Sequence, residues 1–196
     1  MSTGIIILAA GNSSRLGNTK QLLTFRGKTL LATTVEAAEN TSCAPIVLVL
    51  GAYANEILAG HPELNINYVI NDSWEKGMST SIAAGLSKMI DLEPGTENVI
   101  ITVSDQPFIA PAIFEKLLDS HKSTGKNLIA SQYAHTIGTP ALFNKKYFDE
   151  LMLLEGDSGA KHILTQYVDD RSTIPFELGH IDIDTDTDYK NFTTQP

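Results

Sequence analysis

Residues 5–20 read Ile-Ile-Ile-Leu-Ala-Ala-Gly-Asn-Ser-Ser-Arg-Leu-Gly-Asn-Thr-Lys, an apolar run that leads directly into a loop of small residues. The run shows no polar alternation, which is typical of a strand buried on both faces, as in a parallel sheet. Gly11 lets the backbone approach a ligand closely, and successive backbone N–H groups can cradle phosphate oxygens. Ser13 can add a hydroxyl donor, and Arg15 and Lys20 can add positive charge. The composition of this loop is also compatible with a flexible turn.

Similar strand patterns recur along the chain and alternate with helical ones. Strong strand patterns lie at Ile5–Ala9, Ile46–Gly51 and Asn98–Val103, and weaker ones lie at Asn65–Ile70 and Asn127–Gln132. Apolar stripes at helical spacing cover residues 30–38, 82–89 and 113–121, with Ser79 as a candidate N-cap and Pro111 in a first turn. The alternation predicts an α/β fold with a largely parallel sheet. In such folds ligands bind beyond the carboxyl ends of the strands.

The bulk composition narrows the class of protein. At 196 residues the chain can form one well-covered core, and its net charge of −9 argues against a general binder of nucleic acid or anionic membranes. No apolar run is long enough for a bilayer span, and no basic segment precedes the first apolar run, so we expect a cytoplasmic protein. The single cysteine, Cys43, excludes an internal disulfide and a cysteine-based zinc cluster.

Positive charge is concentrated near the first loop. Arg15, Lys20, Arg26 and Lys28 are followed by no further lysine or arginine until Lys76. In an acidic chain this cluster indicates a local anion site. For Arg26 and Lys28 a solvated loop is the better explanation.

A carboxylate follows one of the strongest predicted strands. Asp105 comes directly after the run at residues 98–103, where the fold rule expects ligands. Magnesium prefers oxygen ligands and is usually held by one or two carboxylates together with substrate phosphates. The alternative is a simple turn aspartate before Gln106-Pro107. In the C-terminal segment, Asp182 and Asp184 would share one face of a strand, while Asp186 and Asp188 would begin a final helix.

The first loop resembles the Leu-Ala-(Ala/Gly)-Gly-x-Ser-x-Arg-x-Gly-x-x-Lys signature of the MobA-like nucleotidyltransferases, and its Ala-Ala-Gly version is most similar to the molybdenum cofactor cytidylyltransferases. The resemblance extends along nearly the whole chain. It continues at Asn71-x-x-Trp74-x-x-Gly77-Met78-Ser79-x-Ser81, Asp105-Gln106-Pro107, Gly156-Asp157-x-Gly159-Ala160 and Asp182-Ile183-Asp184-Thr185. It implies a single nucleotidyltransferase domain over residues 1–196, with a doubly wound, Rossmann-like sheet of the nucleotide-diphospho-sugar transferase type.

The resemblance also implies a set of site residues. Catalytic roles fall on Arg15, Lys20 and Asp105, and the Mg²⁺ ligands would be Asp105 and Asp184. Nucleotide contacts are expected at Leu8, Ala9, Ala10, Gly11, Ser13, Arg15, Lys20, Asp72, Gly77, Ser79 and Asp105. The expected reaction moves CMP from CTP to a phosphate-bearing acceptor, with molybdopterin as the best candidate.

One departure from the family pattern concerns the acceptor. Thr139 stands in Gly138-Thr139-Pro140 where these cytidylyltransferases usually have histidine, and this segment faces the second substrate in the family. Asp157 and Lys161 could also meet the acceptor, although a surface helix start would explain them as well. Three alternatives remain: a sugar-phosphate nucleotidyltransferase, an NAD(P)H-dependent oxidoreductase on the same fold, and a non-catalytic partner in molybdoenzyme maturation.

Overall fold

The apolar run at residues 5–9 belongs to the central strand of a sheet, and every residue of that strand, Thr3–Ala9, is buried. The structure is a computed structural model that describes residues 2–12, 19–157 and 159–181. Its sheet strands are β1 (Thr3–Ala9), β4 (Ile46–Leu50), β5 (Asn67–Ile70), β6 (Asn98–Val103), β7 (Leu128–Tyr133), β8 (Thr136–Asn144) and β9 (Arg171–Pro175). A separate small hairpin is formed by β2 (Thr24–Phe25) and β3 (Lys28–Thr29).

The seven strands lie in the order β5-β4-β1-β6-β8-β7-β9. The neighbours β5-β4, β4-β1, β1-β6 and β7-β9 are parallel, and β8 alone runs against its two neighbours. The chain first builds outward from β1 through β4 to β5 and then returns to β6 on the other side of β1. The strand order therefore reverses between β1 and β6, and a ligand crevice is expected at their carboxyl ends.

Helices cover both faces of this sheet. They are α1 (Leu30–Glu39), α2 (Ala54–Gly60), α3 (Met78–Leu92), α4 (Pro111–Thr124), α5 (Phe148–Met152) and α6 (Lys161–Gln166). In β1, Ile5 and Ile7 pack in the core layer that contains residues of α1, α2 and α4, whereas Ile6 and Leu8 pack in the layer that contains residues of α3, α5 and α6. Because successive strand residues point to opposite faces, this two-layer core explains the absence of polar alternation in β1.

Most predicted elements are present at the expected places. The five predicted strands correspond to β1, β4, β5, β6 and β7, and the three predicted helices to α1, α3 and α4, with Pro111 in the first turn of α4. The prediction of a doubly wound, mostly parallel sheet is confirmed. The predicted strand at residues 182–184 and the final helix lie outside the described residues. Within residues 2–12, 19–157 and 159–181, no helix is both long enough and apolar enough to cross a membrane.

The antiparallel strand β8 is not visible in the sequence because Gly138 and Pro140 interrupt its pattern, and both residues usually argue against a strand interior. The pairing with β7 shifts register between Ala130 and Ser131, so that the two residues Thr139 and Pro140 are extra in β8. The Ser131 hydroxyl donates to the Pro140 carbonyl oxygen at 2.7 Å. Such an irregularity tolerates proline and redirects nearby side chains.

Candidate active site

A large cleft of about 500 Å³ lies at the carboxyl ends of β1 and β6. The pairing with β1 continues one residue past the end of β6, because the Ser104 N–H donates to the Leu8 carbonyl oxygen at 3.1 Å. Asp105 is thereby placed beside the start of the first loop, and both line the cleft. The first loop and Asp105, which are distant in the sequence, therefore lie together where the strand order reverses.

The described part of the first loop forms one wall of this cleft. Its lining residues are Leu8, Ala9, Ala10, Gly11 and Asn12. Gln21 anchors the returning chain, because its Nε2 donates to the Ala9 carbonyl oxygen at 3.2 Å. The Thr19 hydroxyl donates to Glu56 of α2 at 2.6 Å, immediately before Lys20. Two predicted residues of the loop, Ser13 and Arg15, lie outside the described residues.

Lys20 and Asp105 form an ion pair in the cleft. The Lys20 Nζ lies 2.9 Å from Asp105 Oδ2, and the two side chains are 8% and 31% exposed, respectively. Both residues line the cleft. A largely buried ammonium group beside a carboxylate that still reaches the cleft can neutralise phosphate oxygens and present an oxygen ligand to a cation. Two of the three residues predicted to be catalytic are thus in direct contact.

The start of α3 supplies the opposite wall, with Gly77, Met78 and Ser81 among its lining residues. Gly77 has a φ of +109°, and a Cβ there would lie 2.3 Å from the Gly156 carbonyl carbon and oxygen, so a side chain is excluded both by conformation and by space. The Ser79 N–H donates to the same Gly156 carbonyl oxygen at 3.2 Å. The loop around Gly156 is therefore held against the first turn of α3.

One expectation for this region changes. Ser79 is not the N-cap of α3: the helix begins at Met78 and its N-cap is Gly77, whose positive φ directs the chain into the helix. Ser79 lies one position inside, buried, and does not line the cleft. Asp72 is exposed and also does not line the cleft. The adjacent Asn71 is the organising residue, since its Nδ2 donates to the hydroxyls of Thr80 and Ser81 and its Oδ1 accepts from the Ser73 N–H.

The residues expected on the acceptor side are divided between two spaces. Asp157 lines the large cleft, whereas Thr139 and Lys161 line a second cavity of about 240 Å³ that adjoins it. The two spaces share the lining residues Leu8, Met78 and Val103. A small molecule bound in the second cavity could therefore extend into the large cleft.

Gln106 is a residue whose role the sequence did not indicate. Its Nε2 donates to the Thr139 carbonyl oxygen at 3.1 Å and to the Gly179 carbonyl oxygen at 2.8 Å. The side chain is buried, and its Oε1 has no hydrogen-bond partner among the residues that the structure describes. Gln106 joins the Asp105 loop, β8 and the turn at Glu177–His180. In the sequence, only its position next to Asp105 indicates a role. Its hydrogen bonds to residues 33 and 73 positions away cannot be predicted from a local motif.

The described lining of the large cleft is unusually rich in carboxylates for an anion site. Its charged members are Lys20, Glu75, Asp105 and Asp157. Within the parts of the chain that the structure describes, no group of three or more His, Cys, Asp or Glu residues forms a metal-ligand cluster. Magnesium needs no such cage, because one or two carboxylates and substrate phosphates suffice. Asp105 could supply one ligand, and Asp184, the second predicted ligand, lies outside the described residues.

Comparison with known proteins identifies the family of the chain. Residues 5–171 match the MobA-like NTP transferase domain. The chain is 34% identical over 119 residues to nicotine blue oxidoreductase of Paenarthrobacter nicotinovorans, covering 60% of this chain and 56% of that protein. It is 33% identical over 113 residues to molybdenum cofactor cytidylyltransferase of Escherichia coli K12, covering 57% of this chain and 56% of that protein. The aligned part thus spans about half the length of each relative.

Solved structures share the fold along the full chain. Rv0371c from Mycobacterium tuberculosis H37Rv superposes with a TM-score of 0.85 at 26% identity, covering 100% of this chain and 99% of that one. A manganese complex of Rv0371c gives a TM-score of 0.79 at 25% identity, covering 100% of both chains. Nucleotidyltransferases of the nucleotide-diphospho-sugar transferase fold are among the structural neighbours, so this part of the fold prediction is confirmed. The chain belongs to the MobA-like NTP transferase family.

Proposed function

We propose that this protein is a Mg²⁺-dependent nucleotidyltransferase that moves CMP from CTP to the phosphate of an acceptor, with molybdopterin as the acceptor. Residues 1–196 would act as one catalytic domain. The observation that carries this proposal is the ion pair between Lys20 and Asp105, at 2.9 Å, in a cleft where the strand order reverses. The matched family and the cytidylyltransferase relative support the same class of reaction.

The charges of the cleft support the need for a divalent cation. A nucleoside triphosphate carries several negative charges, and the described lining offers Lys20 against the three carboxylates of Glu75, Asp105 and Asp157. Unless a cation intervened, these carboxylates would repel the phosphates. Asp105 has the oxygen donors that Mg²⁺ prefers, so the residues present fit this ion. Arg15 and Asp184 would complete the charge balance in this proposal.

In the proposed reaction an acceptor phosphate oxygen attacks the α-phosphorus of CTP. The bond between that phosphorus and the oxygen bridging to the β-phosphate breaks, and pyrophosphate leaves with the bond electrons. Lys20 would neutralise charge on the leaving pyrophosphate, and Asp105 would hold the cation, which would supply further positive charge for the phosphates. Because the acceptor is already an anion, the protein needs no general base, and positioning and charge neutralisation supply the catalysis.

The direct test is release of pyrophosphate by the purified chain supplied with Mg²⁺, molybdopterin and each of CTP, GTP, ATP and UTP in turn. We expect release with CTP to exceed release with the other triphosphates, and we expect chelation of Mg²⁺ to abolish it. Release that is fastest with another triphosphate would correct the choice of nucleotide. Absence of release with all four would contradict the transferase proposal.

A second candidate function is NAD(P)H-dependent reduction, which is favoured by the 34% identity to nicotine blue oxidoreductase. Hydride transfer needs no carboxylate to hold a metal ion, so Asp105 in the cleft favours the transferase. Oxidation of NADPH, followed at 340 nm in the same preparations, separates the two. A non-catalytic partner in molybdoenzyme maturation would instead bind CTP without releasing pyrophosphate.

A further inference from the structure

The chain that returns from the first loop packs against α2, and one contact there lies directly beside Lys20. We propose that Glu56, in the first turn of α2, is a positioning residue that directs Lys20 toward Asp105 through the hydroxyl of Thr19. The proposal rests on the proposed transferase function, because Lys20 is the residue that neutralises charge in that reaction. It gives a role to an exposed carboxylate that is not among the described lining residues of the large cleft.

The position of the Lys20 ammonium group depends on how its backbone is held. A lysine ammonium lies at the end of a flexible four-carbon stem, and ordering such a side chain costs conformational entropy. The Lys20 Nζ nevertheless lies 2.9 Å from Asp105 Oδ2, with the side chain only 8% exposed. The contacts that fix the backbone on either side of Lys20 therefore determine where this charge lies in the cleft.

The backbone at Lys20 forms a short 3₁₀ turn, Lys20–Leu22, which begins after Thr19. The Leu22 N–H donates to the Thr19 carbonyl oxygen at 3.0 Å, which closes the turn. A threonine at this N-cap position usually accepts a hydrogen bond from a backbone N–H of the turn, but the Thr19 side chain makes no such bond within the described residues. Because so short a turn has little stability of its own, it depends on contacts with other elements.

The Thr19 hydroxyl is engaged with α2 instead. It donates to Glu56 Oε2 at 2.6 Å, a length typical of a hydroxyl bound to an ionised carboxylate, and such bonds are about twice as strong as those between neutral groups. Thr19 is buried, and Ile57, which follows Glu56 in α2, is fully buried in the core. The bond therefore joins the residue before Lys20 to a helix that core packing holds in place.

Two further contacts hold the rest of the turn. A Cβ at Gly60, the last residue of α2, would lie 2.9 Å from Leu22 Cδ2, so the leucine packs directly on the glycine backbone. The Gln21 side chain donates to the Ala9 carbonyl oxygen of β1. Of the three contacts, only the bond between Thr19 and Glu56 joins two side chains by a hydrogen bond. It can therefore be removed from either end without a change to a backbone partner.

Loss of this bond should affect the chemical step more than nucleotide binding. The charge of Lys20 stays near the cleft, so much of its attraction for bound CTP is kept. Stabilisation of the charge that develops on the leaving pyrophosphate needs Nζ in one place, and a displacement of about 1 Å can cost about a hundredfold in rate. We therefore expect kcat to fall more than the KM for CTP rises.

Steady-state release of pyrophosphate tests this, with kcat expressed per CTP site counted by calorimetry so that unfolded protein does not contribute. Glu56→Ala and Thr19→Val should each lower kcat about tenfold and change the KM for CTP less than about threefold. Glu56→Gln and Thr19→Ser keep the acceptor and the donor, respectively, and should remain within about threefold of wild type.

Two further variants show whether the bond itself is responsible. The double variant Thr19→Val/Glu56→Ala should lose no more than either single variant, because both changes remove the same bond. Asn55→Ala removes an exposed side chain from the same turn of α2 and should stay within about twofold of wild type. Multiplied losses in the double variant, or equal losses in Asn55→Ala and Glu56→Ala, would overturn the proposal.

The rate at which acetic anhydride acetylates Lys20, followed by peptide mass spectrometry, needs no turnover. In wild type, Lys20 should react about tenfold more slowly than Lys145, whose side chain is 61% exposed. Glu56→Ala should raise the Lys20 rate about threefold or more without changing the Lys145 rate, and Glu56→Gln should change neither. An unchanged Lys20 rate in Glu56→Ala would contradict the positioning role. If the Lys20 rate responds but wild type releases no pyrophosphate, the transferase proposal fails and the positioning of Lys20 by Glu56 stands.

Discussion

Two lysine–aspartate ion pairs lie at opposite ends of the strands of the same sheet. Their nitrogen–oxygen distances are similar, but their surroundings differ. At the carboxyl edge, Lys20 Nζ is 2.9 Å from Asp105, and both line an open cleft. At the amino edge of β7 and β9, Lys146 Nζ is 2.8 Å from Asp170. Asp170 also accepts from the backbone N–H and side chain of Asn127 and from the Tyr147 hydroxyl.

Burial and hydrogen bonding around Asp170 shift the pKa values of Asp170 and of Tyr147. Burial acts to raise the pKa of Asp170, but the hydrogen bonds from Lys146, Asn127 and Tyr147 outweigh it and hold the pKa well below its usual range. Burial, together with the bond to Asp170, raises the pKa of Tyr147 to about 12. A carboxylate that accepts this many hydrogen bonds from the protein stabilises the folded state. A carboxylate that faces a cleft remains available to a ligand, and the two pairs should therefore respond differently to the same substitutions.

The largest difference is expected for the lysines. Lys20→Met should lower kcat/KM for pyrophosphate release about a hundred- to a thousandfold, because one fixed positive charge is lost from the developing charge on the leaving group. Lys146→Met is the matched control at the other edge and should keep kcat/KM within twofold. Steady-state kinetics of both variants measure these values of kcat/KM. Equal losses in the two variants would contradict the assignment of only the Lys20–Asp105 pair to the reaction.

The aspartate of the amino edge should instead govern stability. Asp170→Asn removes a charged acceptor from three neighbours, and we expect it to lower the free energy of unfolding by about 2–3 kcal/mol. Urea denaturation followed by circular dichroism measures this change, and turnover at 25 °C should stay close to that of wild type. A loss of turnover without a loss of stability would show that the network serves the reaction.

The pH dependence of that stability follows from the direction of the pKa shift. Because folding lowers the pKa of Asp170, its contribution is fully present above the unfolded-state pKa of about 3.9 and is lost as the pH falls toward the folded-state pKa. The stability difference between wild type and Asp170→Asn should therefore be constant between pH 6 and 7 and shrink below about pH 4. Urea titrations at a series of pH values test this, and a difference that grows on acidification would have the wrong sign.

A smaller effect is expected at Gln106, which joins the Asp105 loop to β8 and to the turn at Glu177–His180. Gln106→Met keeps the side-chain volume but removes the hydrogen bonds to the Thr139 and Gly179 carbonyl oxygens, so the β8 segment at Thr139 should lose its alignment with Asp105. We expect kcat to fall about tenfold, or about 1.4 kcal/mol of barrier, with the KM for CTP changed less than threefold. Gln132→Met on an exposed position is the control. A rise in KM with unchanged kcat would assign Gln106 to nucleotide binding instead.

The part of the fold best predicted from the sequence is the region at the carboxyl ends of β1 and β6. Residues 5–9 and 98–103 have the apolar patterns of buried parallel strands, and their carboxyl ends carry the first loop and Asp105, so local pattern and fold rule agree. The antiparallel strand β8 was missed because Gly138 and Pro140 lie where its register shifts. The sequence does not predict the second cavity either. One of its lining residues, Thr139, lies in that irregular segment of β8, and another, Lys161, lies in α6, which is distant in the sequence. The start of α3 was misplaced because Gly77, rather than Ser79, provides the required backbone conformation.

Calorimetric titration of CTP with and without Mg²⁺, on wild type, Asp105→Asn and Asp170→Asn, tests most directly whether the carboxyl edge holds a metal-bound nucleotide. The account predicts that Mg²⁺ tightens CTP binding at least tenfold in wild type and in Asp170→Asn, because Asp105 shares the ion with the phosphates. It predicts that Asp105→Asn loses this enhancement. CTP binding that is independent of Mg²⁺ in wild type, or an enhancement fully retained in Asp105→Asn, would contradict it.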